Sequence, residues 1–421
     1  MKYYPVQYDT SYLDGEGVRP LKAITPMPDI DQAVVITDEF LGNNWKKMVR
    51  NPVGGLKRHY VVPGAIYENL WDWDSIFIAC AMTEESLPCG QGSILNLLDG
   101  VREDGRPPKM ASPDGQFQYL SHPYPLQAQF CFLIAERMGD FQWVEPYWEK
   151  LLAVRNWYER ETVAPDGKYI WLGFQGNGID NNPSVYGRPP RSSAGIDLAC
   201  WHYRDLRAMA ALAKKLNKPG AGEFSERADA LGRVVSDRYW DQMDGFFYNI
   251  DCLADPGETS LQGITWETFV KFRNWASFFP LWARLATPEQ ALALRNRLMD
   301  ASEFLSDAGV RSHSARDPIY NNNPSGNPSN WQGPVWGLST FLSAYFLNDN
   351  GYREEAAEVA SRLIKVFAAD ITTNGCLHEF YHGDTGQPLL KPGFLSWNVM
   401  ALGLMDNLKR NIDPTTGSLL A

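Results

Sequence analysis

The sequence predicts an all-α chain closed into an (α/α)6 barrel. Six helical hairpins would form inner and outer rings, with long loops and small β-hairpins on one face. Three observations lead there. Apolar residues recur with a helical period over twelve stretches. The connections between those stretches alternate short and long. The helix after a long connection is the more apolar of its pair, as at Ser75–Ala81, Ala276–Leu285, Leu338–Leu347 and Val399–Met405. Its partner carries charge on one face, as with Glu354, Glu355, Glu358, Arg362 and Lys365. A right-handed solenoid of helical repeats is the alternative, but its repeats would be shorter and its loops more uniform.

Residues 1–35 are Pro- and Tyr-rich without periodicity and form an N-terminal arm. Helices are expected near 37–50, 71–87, 91–101, 123–138, 141–162, 194–217, 220–240, 274–286, 288–304, 334–349, 352–370 and 394–410. Leu87-Pro-Cys-Gly90, Met138-Gly-Asp140, Lys218-Pro-Gly220 and Asn348-Asp-Asn-Gly351 read as tight turns dense in helix breakers. The segments 51–70, 102–122, 163–193, 241–273, 305–333 and 371–393 are long and rich in Gly, Pro, Asn and Trp. Short–long alternation makes antiparallel pairs and brings every long loop out at one end, in a quasi-repeat of roughly 60–70 residues. Gly167-Lys-Tyr-Ile-Trp-Leu172 and Gly245-Phe-Phe-Tyr-Asn-Ile250 follow Asp-Gly turns and read as short strands in hairpins within those loops. No linker-like stretch divides the chain, so residues 1–421 read as one domain.

Composition narrows the function. A net charge of −11 without any Lys/Arg run argues against nucleic acid and anionic membranes as partners. The N-terminus lacks an apolar signal region, and no stretch approaches 18 continuous apolar residues. Six scattered cysteines without a CxxC point to reduced thiols and a cytoplasmic setting. Fifteen tryptophans stand out in the composition; many belong to the core, and those clustered in loops are the harder ones to assign to packing.

The acidic and aromatic clusters fall in the long loops. Tyr67-Glu-Asn-Leu-Trp-Asp-Trp-Asp74 crowds carboxylates and indoles just before an apolar helix. The alternative is that its acids serve the helix N-terminus and its indoles the core. Ser121-His-Pro-Tyr-Pro125 closes the second long loop, with His122 as a candidate ligand contact. The third holds Gly176-Asn-Gly-Ile-Asp-Asn-Asn-Pro183, with Gly178 and Asp180; the fourth holds Thr265-Trp-Glu267. The fifth ends Asn330-Trp-Gln-Gly-Pro-Val-Trp336, and the sixth contains His378-Glu-Phe-Tyr-His382. On a barrel these would face one another across one pocket. Carboxylates accept hydrogen bonds from hydroxyls and indoles cover C–H faces, so a small carbohydrate is the expected ligand. Asp180 could instead be a turn Asp bonded to its own backbone.

His378-Glu-Phe-Tyr-His382 matches the HExxH zinc-protease pattern. That chemistry needs both histidines one turn apart on a helix. Here Asn374-Gly375 precedes and Gly383 to Pro388 follows, which is loop composition, and no later Glu supplies a third ligand. No metal and no cofactor are therefore expected. Paired carboxyls from opposite loops in a tryptophan-lined pocket are the constellation for glycoside hydrolysis. One protonates the leaving oxygen and the other activates water. The acid would be held protonated by partial burial against aromatics.

Glu68 to Asp74, Gly178 to Pro183, Asn330 to Trp336 and His378 to Tyr381 resemble, in order, the motifs of family 63 glycoside hydrolases and, more distantly, trehalases. The resemblance spans roughly residues 55–410. It implies an inverting α-glycosidase on an (α/α)6 barrel, with Asp180 as general acid and Glu379 as general base. It also implies that Trp71, Trp73, Asp74, Trp331, Gln332 and Trp336 hold the sugar in the −1 subsite; Tyr67 joins them from the same stretch. The chain is most similar to the small bacterial branch acting on mannosylglycerate or glucosylglycerate. It departs from many relatives at Asn182-Pro183-Ser184, where they carry Ser-Pro-Arg, and at Asn330, where they carry Tyr. The choice of glucose or mannose, the leaving group and any homo-oligomer stay open. A glycerate carboxylate would need donors, for which Arg188 and Arg191 are candidates; their Gly/Pro/Ser-rich segment is either a lid or a solvated loop. Two other functions compete. One is a sugar isomerase or epimerase using His122, His202, His378 or His382; the other is a non-catalytic carbohydrate-binding protein.

Overall fold

The computed structural model describes residues 24, 27–164, 166–252, 268–323 and 329–421. Most of the expected N-terminal arm, and Thr265, Trp266 and Glu267, lie outside the described residues.

Twelve α-helices are found among the described residues, joined by short 3-10 turns. The outer ring is α1 (Ile30–Asn44), α3 (Leu87–Asp99), α5 (Trp148–Thr162), α7 (Ala221–Arg238), α9 (Pro288–Leu298) and α11 (Arg353–Asn374). The inner ring is α2 (Asp72–Ala81), α4 (Gln127–Met138), α6 (Ile196–Lys215), α8 (Phe279–Trp282), α10 (Gly337–Asp349) and α12 (Leu404–Lys409). Two inner members are extended by 3-10 turns, Trp275–Phe278 before α8 and Ser396–Ala401 before α12. Contacts run α2 to α4, α4 to α6, α6 to α8, α8 to α10, α10 to Ser396–Ala401 and back to α2, so the ring closes. This is the (α/α)6 barrel.

Burial follows the sequence pattern. Every residue of α10 from Gly337 to Asn348 is buried, because an inner helix meets protein on all sides. On the N-terminal part of α11 burial is confined to one face, including Val359, Leu363 and Ile364, while Glu354 is exposed; from Val366 to Asp370 every residue is buried.

Several boundaries differ from expectation for local reasons. α1 begins at Ile30, not near 37, because the Asp29 side chain accepts from the Gln32 N–H at 3.0 Å and caps it. Leu87-Pro88 opens α3 and is not a turn; proline at the first helical positions loses no needed hydrogen bond. The expected helix 274–286 shrinks to one 3-10 turn and four α residues, closed by Arg284 at φ 52°. Gly403, at φ 66°, divides the stretch expected as one helix over 394–410.

Short strands stand immediately before three inner helices: β1 (Leu70–Trp71), paired with β2 (Met110–Ala111), before α2, Ser193–Ala194 before α6, and Val335–Trp336 before α10. Each of these long loops is thereby pinned where it enters the inner ring, at the end where the N-termini of the inner helices converge. Both aromatic runs contain strands that pair within their own long loops, and the two pairs join into one sheet. β3 (Ile170–Trp171) pairs with β4 (Ser193–Ala194). β4 in turn pairs with β5 (Asn249–Asp251), which pairs with β6 (Thr268–Val270), making a four-stranded antiparallel sheet. Phe246–Phe247 forms a further local hairpin with Trp240–Asp241. β7 (Val335–Trp336) pairs with Phe380–Tyr381 of the sixth long loop. No described helix is long and apolar enough to cross a membrane.

Candidate active site

A cavity of about 300 Å³ opens at that end of the barrel. Tyr67, Trp71, Trp73, Asp74, Gly178, Asp180, Trp331 and Glu379 all line it, eight of the eleven residues singled out in the sequence. Lys109, Ser329, Lys391, Phe394, Trp397 and Pro63 complete the lining and carried no sequence motif. Trp397 had a readable signal, since an indole near the start of an inner helix recurs at Trp73, Trp275 and Trp336. Lys109 and Lys391 had none.

The floor is aromatic. Trp331 stacks on Trp336 at 4.1 Å with rings almost parallel, and Trp73 and Trp397 meet Trp331 at 6.1 and 6.2 Å. Gly178 lets the third loop close onto this floor: a Cβ there would fall 2.2 Å from the Trp73 indole.

Asp180 is at the tip of the turn 178–183. Asn181 and Asn182 turn inward beside it and lock the turn to its neighbours. Asn181 accepts from the Trp331 N–H at 2.7 Å and donates to Asn330 Oδ1 at 3.0 Å. The Asn182 carboxamide oxygen accepts from Asn274 Nδ2 at 3.2 Å. Asp180 itself is exposed, whereas partial burial was expected for the acid; the inward-facing positions of this turn are taken by the two asparagines.

Glu379 is the enclosed carboxyl. The Tyr67 hydroxyl lies 3.1 Å from both of its oxygens, and Lys391 Nζ is 3.6 Å from Oε2. Lys391 also donates to the Tyr67 hydroxyl. Burial pushes Glu379 up to about 7, with Lys391 and the Tyr67 hydrogen bond opposing and the charge of Asp180 adding. Behind it, Asp370 on α11 accepts from the Tyr381 hydroxyl and pairs with His378 Nδ1, each at 2.8 Å, bracketing Glu379 from both sides in sequence. Asp74, in the first turn of α2, accepts from the Ser396 hydroxyl at 2.7 Å. A helix N-terminus favours a charged carboxylate by about 0.3–1 kcal/mol. Burial outweighs that and lifts Asp74 to about 7. Asp72 points away and pairs with Lys109 at 2.9 Å, both buried.

His122, Gln332 and Trp336 stand behind the wall and do not line the cavity. His122 is buried against Trp171, ring centroids 4.8 Å apart, and burial drives its pKa down to about 3. Gln332 donates to the Asn181 carbonyl at 3.0 Å and so holds the third loop to the fifth. Trp336 backs Trp331 and donates from Nε1 to the Asn330 carbonyl at 2.9 Å. Glu68 turns outward to an exposed ion pair with Arg50. Arg188 pairs with Asp251 at 2.5 Å, and Arg191 donates to the Glu161 carbonyl at 2.7 Å; neither lines the cavity. Among the described residues no histidine lines it either. Phe380 and Tyr381, inside the HExxH-like segment, form a strand, so His378 and His382 do not share a helical face. No cluster of three His, Cys, Asp or Glu able to hold a metal occurs among the described residues.

The chain is similar in sequence and fold to known proteins. Residues 67–397 match the model of a family described as a mannosylglycerate hydrolase MGH1-like glycoside hydrolase domain. Among solved structures, a GH63 mannosylglycerate hydrolase from Thermus thermophilus in complex with glucose superposes with a TM-score of 0.67. It is 19% identical over 89% of this chain and 99% of its own. Neutral trehalase Nth1 from Saccharomyces cerevisiae gives a TM-score of 0.63 at 16% identity, over 90% of this chain and 82% of its own. A probable trehalase of Eremothecium gossypii is 28% identical over 156 residues. That match takes in 37% of this chain and about a fifth (19%) of the length of the trehalase.

Proposed function

The chain belongs to the mannosylglycerate hydrolase MGH1-like glycoside hydrolase family, and from that membership we propose that it is an inverting α-glycosidase acting on a small α-linked glucoside or mannoside. Mannosylglycerate, glucosylglycerate and an α-disaccharide such as trehalose fit this class. The observation that carries the reading is the pair Asp180 and Glu379 facing one tryptophan-floored cavity. At about 300 Å³ the cavity is at the lower end for ligand sites, which favours a substrate of one sugar and a small leaving group.

In this mechanism Glu379 is the general base. A base poised near 7 is matched to neutral conditions, and Tyr67 and Lys391 hold its oxygens toward a water on the far face of the sugar. Asp180 is the general acid at the mouth. A bound leaving group covers its carboxyl, removes water from it and raises its proton affinity, so the acid becomes competent when the site is filled. The proton passes from Asp180 to the glycosidic oxygen as the C–O bond breaks, and Glu379 takes a proton from the attacking water. Trp73, Trp331 and Trp397 cover the apolar face of the sugar, while Asp74 and Tyr67 accept and donate to its hydroxyls. The indole N–H groups of Trp331 and Trp397 are buried without an acceptor among the described residues, as expected of donors kept for a hydroxylated ligand. Of the other residues expected in the sugar site, Trp336 backs this floor, Gln332 holds the turn that carries Asp180, and His122 packs against Trp171. We further infer that residues 1–421 act as one catalytic domain, and the six free cysteines support a cytoplasmic setting.

A panel of α-glucosides and α-mannosides, glycerate conjugates included, assayed for released monosaccharide identifies the substrate. Proton NMR in the first minutes should show the β-anomer released from an α-glycoside. Asp180→Asn and Glu379→Gln should each lower kcat by about a thousandfold or more. Release of the α-anomer, or near-normal turnover by either variant, overturns the mechanism. Tight sugar binding by calorimetry with no turnover on any α-glycoside would instead make the chain a carbohydrate-binding protein.

A further inference from the structure

Lys391 entered the cavity without any sequence motif to announce it, and the backbone that carries it is unusual. The strand β8 (Phe380–Tyr381) pairs with β9 (Pro388–Leu389). Beyond β9 the ladder keeps its register for one more bond, the Glu379 N–H donating to the Leu390 carbonyl at 3.3 Å, and then resumes with one extra residue inserted, the Gly393 N–H donating to the Leu377 carbonyl at 2.8 Å. Leu390 and Lys391 between these bonds sit at φ 48° and 43°, and Gly393 follows at φ 88°. Left-handed backbone is costly for any residue with a Cβ, and two such residues in succession persist only where the surroundings demand them. An extra residue of this kind re-aims a side chain out of its ladder position. Here it swings Lys391 back over the glutamate of its own hairpin.

The ammonium lies 4.1 Å from the Tyr67 ring centroid and 3.6 Å from Glu379 Oε2, donates to the Tyr67 hydroxyl, and has a side chain only 10% exposed. We propose that Lys391 is a positioning residue that keeps the Glu379 carboxylate ionised and oriented, directly by its charge and through Tyr67. Among the described residues, the other charged groups acting on Glu379 are Asp180 and Asp74, both acids, while Lys109 pairs with Asp72. Lys391 is thus the cation set against a group of carboxyls that otherwise push a proton onto the base. Without it, Glu379 would sit largely protonated at neutral pH and could not accept a proton from water.

This role for Lys391 rests on Glu379 acting as the base, so its test uses a readout that needs no turnover. With carbon-13-labelled glutamate, the Glu379 carboxyl resonance, assigned by its absence in Glu379→Gln, is titrated in the wild type, Lys391→Met and Lys391→Arg. Removing a cation this close should move the midpoint upward by about one to three pH units in Lys391→Met, and Lys391→Arg should return most of it. On a substrate identified by the glycoside panel, the acidic limb of kcat/KM should move by the same amount. An unmoved midpoint in Lys391→Met overturns the inference. A KM increase confined to anionic leaving groups, with both midpoint and limb in place, also overturns it and makes Lys391 a substrate contact. A midpoint that moves while the wild type hydrolyses no glycoside leaves the electrostatic coupling standing and removes the catalytic assignment of Glu379 instead.

Discussion

Replacing the enclosed carboxyl with its neutral isostere should stabilise the protein while abolishing its activity, and the size of the effect can be worked out. The Glu379 side chain is 6% exposed, and burial lifts it from 4.5 to about 7. A displacement of about 2.5 pH units corresponds to about 3.4 kcal/mol between the two protonation states. Because the folded value lies above the unfolded one, the folded chain binds the extra proton. Stability contributed by the protonated form is full below 4.5, declines between 4.5 and 7, and is gone above 7. The substituted carboxamide carries no charge at any pH. The Glu379→Gln variant should therefore exceed the wild type by about 1 kcal/mol at pH 5 and about 3 kcal/mol at pH 8. With an unfolding entropy of about 0.9 kcal/mol/K for a chain of this length, those figures are Tm gains of about 1 and 3–4 °C. Scanning calorimetry of both proteins at the two pH values measures the gap. A gap that does not widen from pH 5 to pH 8, or a variant less stable at pH 8, would refute the claim that this carboxylate is held charged against its surroundings.

Three further perturbations test other parts of the site. Trp331→Ala removes an indole packed against Trp336, Trp73 and Trp397. It should cost about 3–5 kcal/mol in denaturant unfolding and eliminate measurable hydrolysis. Gly178→Ala drives a methyl into the Trp73 ring. It should cost about 1–3 kcal/mol yet lower kcat/KM at least tenfold, since the floor and the Asp180 turn move together; an unchanged kcat/KM would show that the close approach is incidental. Lys109→Met strands Asp72 at a site where both side chains are under 5% exposed. The loss should be about 3–5 kcal/mol near neutral pH and smaller at pH 4, where burial has already favoured the neutral acid; equal losses at both pH values would mean that Asp72 is not charged in the fold.

The barrel was legible in the sequence because periodicity and connection length are local quantities. A helix such as α10 that meets protein on every side must be apolar all round, a stretch such as the N-terminal part of α11 that meets it on one side must be striped, and both patterns are written in consecutive residues. The same logic exposed Asp180 and Glu379, since Gly178-Ile-Asp-Asn-Asn-Pro and Asn374-Gly before His378-Glu are sequences that no helix interior would choose. Tertiary structure decided everything that depends on which side of a wall a side chain stands. Trp331 and Trp336 belong to one motif, yet one lines the cavity and the other backs it, a difference set by the pairing of Val335–Trp336 with Phe380–Tyr381. Lys109 and Lys391 reach the cavity through backbone pairing and left-handed turns, which leave no trace in composition. Which carboxyl is enclosed was likewise undecided by the chain order, because desolvation depends on neighbours brought in from loops hundreds of residues apart: Tyr67 and Asp180 beside Glu379, and Ser396 beside Asp74.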